Sequence, residues 1–231
     1  MRTEMSLACG PIARPVLSGS RVAVMAAQPA AADPLGVDGI KMTYSRNEEI
    51  FGESEPAGYV YRVVTGVVRT YRILADGRRQ VAQFYLAGEV FGLEEGSEHR
   101  TSAEAVCDCE VTALRRSQLI ERAMNDNATA HKLWALTLHH LRRSEEHMLV
   151  LGRKNACERL AWFLMDMAER IPAHDQILLP MSRQDIADFL GLTIETVSRT
   201  MTQLQDDDVI ELPTCRNVVL KDRDGLIDMA A

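Results

Sequence analysis

The 231-residue chain has no apolar run near the ~18 residues that a spanning helix needs, so no part of it reads as a membrane segment. It carries no P-loop, no G-x-S-x-G, no H-E-x-x-H and no C-x-x-C. Those motifs mark common phosphate-binding, acyl-transfer, zinc and thiol-redox chemistries, and the chain is read as a non-enzyme. Cysteine is scarce and odd in number: five, at positions 9, 107, 109, 157 and 215, without framework spacing. A disulfide scaffold is thereby excluded and a reduced, cytoplasmic setting expected. Cys107-Asp108-Cys109 would set two thiols on one face of a strand. A metal site needs further ligands, and none lies close in sequence, so the cysteines read as structural and no metal is expected. A surplus of positive charge is missing too. Lys and Arg number 26 against 33 Asp and Glu, and residues 151–231 hold 9 basic against 14 acidic side chains. At first sight that balance argues against nucleic acid.

What is present divides into four stretches. Residues 1–40 are dominated by Ala, Pro, Gly and Ser, and read as a disordered leader or as an over-long start preceding a true initiator at Met25 or Met42. The apolar piece at residues 22–25 is too short for a signal peptide. Residues 41–120 follow a β pattern, with runs at 59–64 and 67–74 rich in β-branched and aromatic side chains. Asp76-Gly77, ahead of residues 80–85, is a strong hairpin signal in which both turn positions want φ > 0. Glycines at 58, 66, 77, 88, 92 and 96 punctuate short strands, pointing to a small antiparallel barrel or roll.

Residues 121–150 read as a long helix. Trp134, Leu138, Leu141, Glu145 and Met148 follow steps of four and three, the spacing of a coiled-coil seam. The helix is apolar on more than one side, so a dimer seam through Trp134, Leu138, Leu141 and Met148 is expected. His139, His140 and His147 are expected at the surface or the seam, not on a metal, because adjacent helical residues diverge.

Residues 151–231 begin with a helix ended by Pro172 and a short apolar strand near 177–180. Ser182-Arg183-Gln184-Asp185 then reads as a relative of the capping box, with Asp where Glu or Gln is usual. Ile186, Ala187, Phe189 and Leu190 supply a helix face, and Gly191 ends it in the left-handed conformation. Thr193 caps a second helix whose inner face is Val197, Met201 and Leu204. Helix, short glycine turn, helix is the helix-turn-helix arrangement, though any αα-hairpin shares that geometry. The outward face decides more. Ile194, Glu195, Ser198 and Arg199 project from the first turns of the second helix, the part that meets base edges in such motifs. Glu accepts from cytosine N4, and Arg donates bidentately to guanine O6 and N7. Residues 209–212 and 217–220, around Pro213-Thr214, read as a winged hairpin.

In sum these parts resemble the CRP/FNR transcription regulators. The likeness covers roughly residues 41–225. It is carried by the glycine-punctuated roll, the long helix, and Arg183-Gln184-Asp185-Ile186-Ala187 with Gly191-Leu192-Thr193-Ile194-Glu195-Thr196-Val197-Ser198-Arg199. Residues 44–51, 63–71 and 88–94 are similar to the FixK branch. The resemblance implies an α+β fold: an N-terminal antiparallel β-roll of the cyclic-nucleotide-binding kind, a dimerisation helix and a C-terminal winged helix-turn-helix. It implies a homodimer that binds double-stranded DNA, mainly an activator contacting RNA polymerase, without a membrane, at microaerobic or anaerobic, nitrogen-fixation or respiratory genes.

The resemblance also assigns residues. Glu195 and Arg199 match the family's base-reading positions. Ile194 stands where cyclic-AMP-dependent members have Arg, which implies a TTGA-type palindrome, since an apolar side chain meets a thymine methyl. Ser182, Thr193 and Thr196 match phosphate-contacting positions, assisted by Arg183 and Gln184. Two departures bear on the signal. FNR carries clustered N-terminal cysteines for an iron–sulfur centre, whereas this chain has Cys9 alone there. Cyclic-nucleotide members set Gly-Glu and Arg-Ser/Thr around the ligand. Here Arg100-Thr101 is kept, but Leu93 follows Gly92, the loop is shortened, and the acid for the ribose hydroxyl is missing. No cofactor and no cyclic AMP binding are expected, with gating by another small ligand as the alternative. The acidic surplus leaves chiefly Arg183, Arg199 and Arg216 to neutralise phosphate, so weak non-specific affinity and a shallow salt slope are expected.

Overall fold

Alternation of inward apolar and outward polar residues folds the first half into two four-stranded antiparallel sheets, seen in a computed structural model that describes residues 39–171 and 176–230. The expected leader and the Pro172 helix stop lie outside the described residues. One sheet orders β1 (Ile40–Tyr44), β8 (Cys109–Arg115), β3 (Tyr59–Thr65) and β6 (Val90–Phe91). The other orders β2 (Glu49–Phe51), β7 (Ser102–Ala105), β4 (Val68–Ile73) and β5 (Arg79–Tyr85). Val63 pairs with Val111 in the first sheet and Val68 with Ala105 in the second, and all four side chains are buried in the core that the two sheets share. Phe51, Tyr61 and Phe91 fill its interior, and the buried His99 ring stacks on Phe51 at 3.5 Å. Gly66, at φ +84°, is needed where it stands: a Cβ there would lie 2.5 Å from the Cβ of Cys109.

Two local expectations change. The hairpin joining β4 to β5 forms at Asp76-Gly77, but only Gly77 is left-handed. Asp76 turns its carboxylate onto the Arg78 N–H at 3.0 Å and Nε at 2.7 Å, and the Leu74 N–H closes a longer loop on the Arg78 carbonyl. The two cysteines do not share a strand face. Cys109 lies inside the roll, while Cys107, in the turn before β8, packs outward against the apolar cluster that includes Val67, Val81 and Phe84.

Helix α1 (Arg116–Asn125) leads into α2 (Asn127–Arg153). Asp126 between them caps α2, accepting from the Ala128 and Thr129 N–H groups at 3.1 Å each. With 27 residues α2 is about 40 Å long. Leu133 and Leu136 pack it onto Val60, Val90, Leu114 and Leu119 of the roll and α1. Its other face carries Trp134, Leu138, Leu141 and Met148, which are 65%, 46%, 53% and 65% exposed. His147 is at neither surface nor seam. It is buried, stacked on Phe189 at 4.0 Å, with Nε2 at 3.0 Å from the Phe189 carbonyl.

Beyond Arg153 come α3 (Ala156–Arg170), β9 (Gln176–Leu178), α4 (Arg183–Leu190), α5 (Ile194–Asp206), β10 (Ile210–Glu211), β11 (Asn217–Leu220) and α6 (Arg223–Ala230). The strands form a three-stranded antiparallel sheet ordered β10–β11–β9. Phe84 of the roll meets Phe163 of α3 and Phe189 of α4 edge-on or tilted, at 6.3 and 5.1 Å. One apolar core therefore runs from the roll into the helical half.

Candidate nucleic-acid interface

The helix pair α4–α5 is built by its caps. The Ser182 hydroxyl accepts from the Asp185 N–H at 3.1 Å, and Asp185 Oδ2 accepts in return from the Ser182 N–H at 3.0 Å. This reciprocal box secures two N–H groups that α4 itself leaves unpaired. Gly191 ends α4 at φ +62° and ψ +39°. Two residues later the Thr193 Oγ1 caps α5 by accepting from the Thr196 N–H at 3.2 Å. A turn this short sets the angle between the helices, and Val197, Met201 and Leu204 seal the inner face of α5.

The outer face of α5 is open. Ile194, Glu195, Ser198 and Arg199 are all exposed on its first two turns, with Thr193 and Thr196 at its start. The structure thus brings together the four side chains expected to read bases. The backbone N–H of Glu195, with the Thr193 hydroxyl, holds the Glu195 carboxyl below the usual carboxylate range, so it is an acceptor at neutral pH. No hydrogen bond or ion pair engages Arg199 among the described residues. Its donors are available to a guanine edge.

The expected phosphate contacts are placed less uniformly. The Ser182 hydroxyl donates to Asp185 Oδ2 at 2.7 Å, and Gln184 Nε2 donates to Asp188 Oδ1 at 2.6 Å. Arg183 is half-buried, its Nη1 lacks a partner, and burial lowers its pKa. Beside α5 runs a cleft of about 700 Å³ whose far wall is the β4–β5 hairpin, with Leu74, Arg78 and Gln80 facing Gln184, Thr193 and Thr196. Burial would raise the Asp185 carboxyl, but the Ser182 hydroxyl and N–H, joined by Arg69 and Arg79, bring it below its ordinary value. Those two arginines went unnoticed in the sequence, because nothing local ties positions 69 and 79 to a helix more than 100 residues on.

A second cavity, about 420 Å³, opens between the roll and α2, lined by Arg72, Gln83, Glu94, Arg100, His140 and Ser144 among others. An acid does line it, contrary to the expectation from the shortened loop. Glu94 is nonetheless spent on its own loop: Oε1 accepts from the Arg100 N–H at 3.4 Å and lies 3.5 Å from His99 Nδ1. These contacts on Oε1 compete with a ribose hydroxyl for the Glu94 carboxylate. Among the described residues no group of His, Cys, Asp and Glu is arranged to hold a metal.

The roll, residues 41–126, matches the cyclic nucleotide-binding domain, and residues 158–229 match the Crp-like helix-turn-helix domain. Over 193 residues the chain is 49% identical to the nitrogen fixation regulation protein FixK of Azorhizobium caulinodans, spanning 81% of this chain and 78% of that one. The chain belongs to the CRP/FNR family. It is a transcription regulator with a DNA-binding helix-turn-helix, not an enzyme, and is closely related to FixK proteins. FixK of Rhizobium meliloti is 44% identical over 185 residues, 80% of this chain and 84% of that one. The structure of FixK2 from Bradyrhizobium japonicum superposes on this regulator with a TM-score of 0.82 at 49% identity, covering 84% of this chain and 98% of that one. The α+β architecture read from the sequence is the one the family shares. No described helix of this CRP/FNR regulator is long and apolar enough to cross a membrane.

Proposed function

We propose that the chain binds a TTGA-type palindrome as a homodimer. There it acts mainly as an activator, contacting RNA polymerase at nitrogen-fixation, microaerobic or respiratory genes in the cytoplasm. The observation that carries the reading is the open face of α5. Ile194, Glu195, Ser198 and Arg199 form the base-reading set. Ile194 meets a thymine methyl, Glu195 accepts from cytosine N4, and Arg199 donates to guanine. Thr193 and Thr196 at the start of α5, with Ser182, Arg183 and Gln184 at the start of α4, sit on phosphates and fix register.

The domain plan that goes with this is a leader over residues 1–40, a β-roll over 41–120, a dimerisation helix over 121–150 and a DNA-binding domain over 151–231. Trp134, Leu138, Leu141 and Met148 pack against their own copies, since four large apolar side chains on one exposed helix face are costly in water. Two-fold symmetry then sets the two α5 helices about 34 Å apart, one turn of DNA. Sedimentation of the chain with a TTGA palindrome tests this directly. Two chains per duplex are expected, and one chain per duplex, or no complex, refutes the reading.

A further inference from the structure

The Asp185 carboxylate faces two ways. Oδ2 closes the capping box of α4. Oδ1 points out of the helix-turn-helix into the roll, where Arg79 Nη2 donates at 2.6 Å and Arg69 Nη1 lies at 3.2 Å. One turn on, Asp188 Oδ2 accepts from Arg79 Nε at 2.7 Å. The arginines stand on the adjacent strands β4 and β5, and each is fixed from its own side. Arg69, 4% exposed, is held by Glu104 of β7 and by Asn47. Arg79 lies against Tyr71, its guanidinium carbon 5.7 Å from the ring centroid.

Desolvating four charged groups consumes most of what their attraction returns, so this cluster adds little net stability. What it does supply is direction. A fork of donors on a rigid sheet accepts two carboxylates one helical turn apart in one arrangement only. Helix α4 is thereby tied to one place on the roll, and α5 follows it through the tight Gly191 turn. In that place the start of α5, including Ile194 and Glu195, faces the β4–β5 hairpin across the open cleft.

We propose that Arg69 and Arg79 are positioning residues for DNA reading, holding the helix-turn-helix in its reading pose through Asp185 and Asp188 with no effector bound. The proposal rests on the assignment of α5 to base reading made above.

The test uses the full chain with Arg79→Glu, Asp188→Arg and the two together. Affinities for the operator and for an unrelated duplex are measured beside melting temperature and dimer mass. Each single change is expected to lower operator affinity about tenfold or more. Dimer mass and affinity for the unrelated duplex hold, and the double change recovers part of the loss. Operator affinity within twofold of the unaltered chain overturns the proposal. So does an equal loss on both duplexes, which would make Arg79 a phosphate ligand, and so does a double change that recovers nothing. Should Arg79→Glu melt below the assay temperature, Arg79→Gln is judged by the same twofold limit. Failure of the unaltered chain to find any operator overturns the base-reading assignment itself, and this proposal with it; tight operator binding indifferent to Arg79 overturns this proposal alone.

Discussion

Replacing Arg199 with Ala separates folding from reading. The side chain is exposed and unengaged among the described residues, while its neighbours Val197, Thr200 and Met201 do the packing. Truncating such a surface group changes folding free energy by no more than about 0.5 kcal/mol. On DNA the same guanidinium is worth about 1–3 kcal/mol as a bidentate donor to guanine. A homodimer on a palindrome uses two, so the operator affinity falls by about 2–6 kcal/mol, or about 30-fold to over 10⁴-fold. The assay is an anisotropy titration of the operator duplex, of duplexes carrying each other base at the contacted guanine, and of an unrelated duplex, with a melting curve alongside. The melting temperature is expected to hold, the preference for guanine to flatten, and affinity for the unrelated duplex to change little. A uniform loss over every duplex would place Arg199 on phosphate. A melting temperature lower by several degrees would show that the side chain packs, and either result refutes the reasoning.

Four further outcomes follow from the geometry. Phe189 is buried among Phe84, Phe163, Trp162 and His147, so Phe189→Ala should cost about 3–5 kcal/mol in urea unfolding, the range for deleting a core aromatic. Leu138→Asp with Leu141→Asp should yield monomers by sedimentation and abolish operator binding at concentrations where the unaltered chain saturates. Burial, reinforced by the neighbouring His139, pushes His140 down to about 4 from 6.5. The folded ring is then neutral where the unfolded chain binds a proton, so stability falls as pH drops from 6.5 towards 4, and His140→Gln should flatten that slope in urea midpoints. Calorimetry with cyclic AMP should show no binding, and micromolar affinity would contradict the reading of Glu94.

The parts of the fold that were legible in the sequence are those governed by local chemistry. Ser182, Gly191 and Thr193 announce two helix ends and a turn because each meets a backbone demand within three residues of itself. The apolar stripe on α2 is periodic, and it is exposed in the single chain. What escaped notice depends on distance. Helix α1 starts without a side-chain cap and α6 is eight residues long, so neither carries a strong local signal. His147 looked like a surface histidine because its partner, Phe189, comes 42 residues later. Glu94 lines the roll cavity although Leu93 follows Gly92, because the fold of the loop, and not the spacing in residues, decides which side chain arrives there. The contacts of Arg69 and Arg79 with α4 span more than 100 residues and leave no trace in any local pattern.

The central claim is that α5 reads a TTGA-type palindrome for a dimer. Selection of bound duplexes from a random pool by the unaltered full chain tests it most directly, with the mass of the bound species measured in parallel. Enrichment of two inverted TTGA-type half-sites, with centres about one turn of DNA apart and occupied by two chains, is the result expected. A pool that stays random, or a single half-site held by one chain, would contradict it.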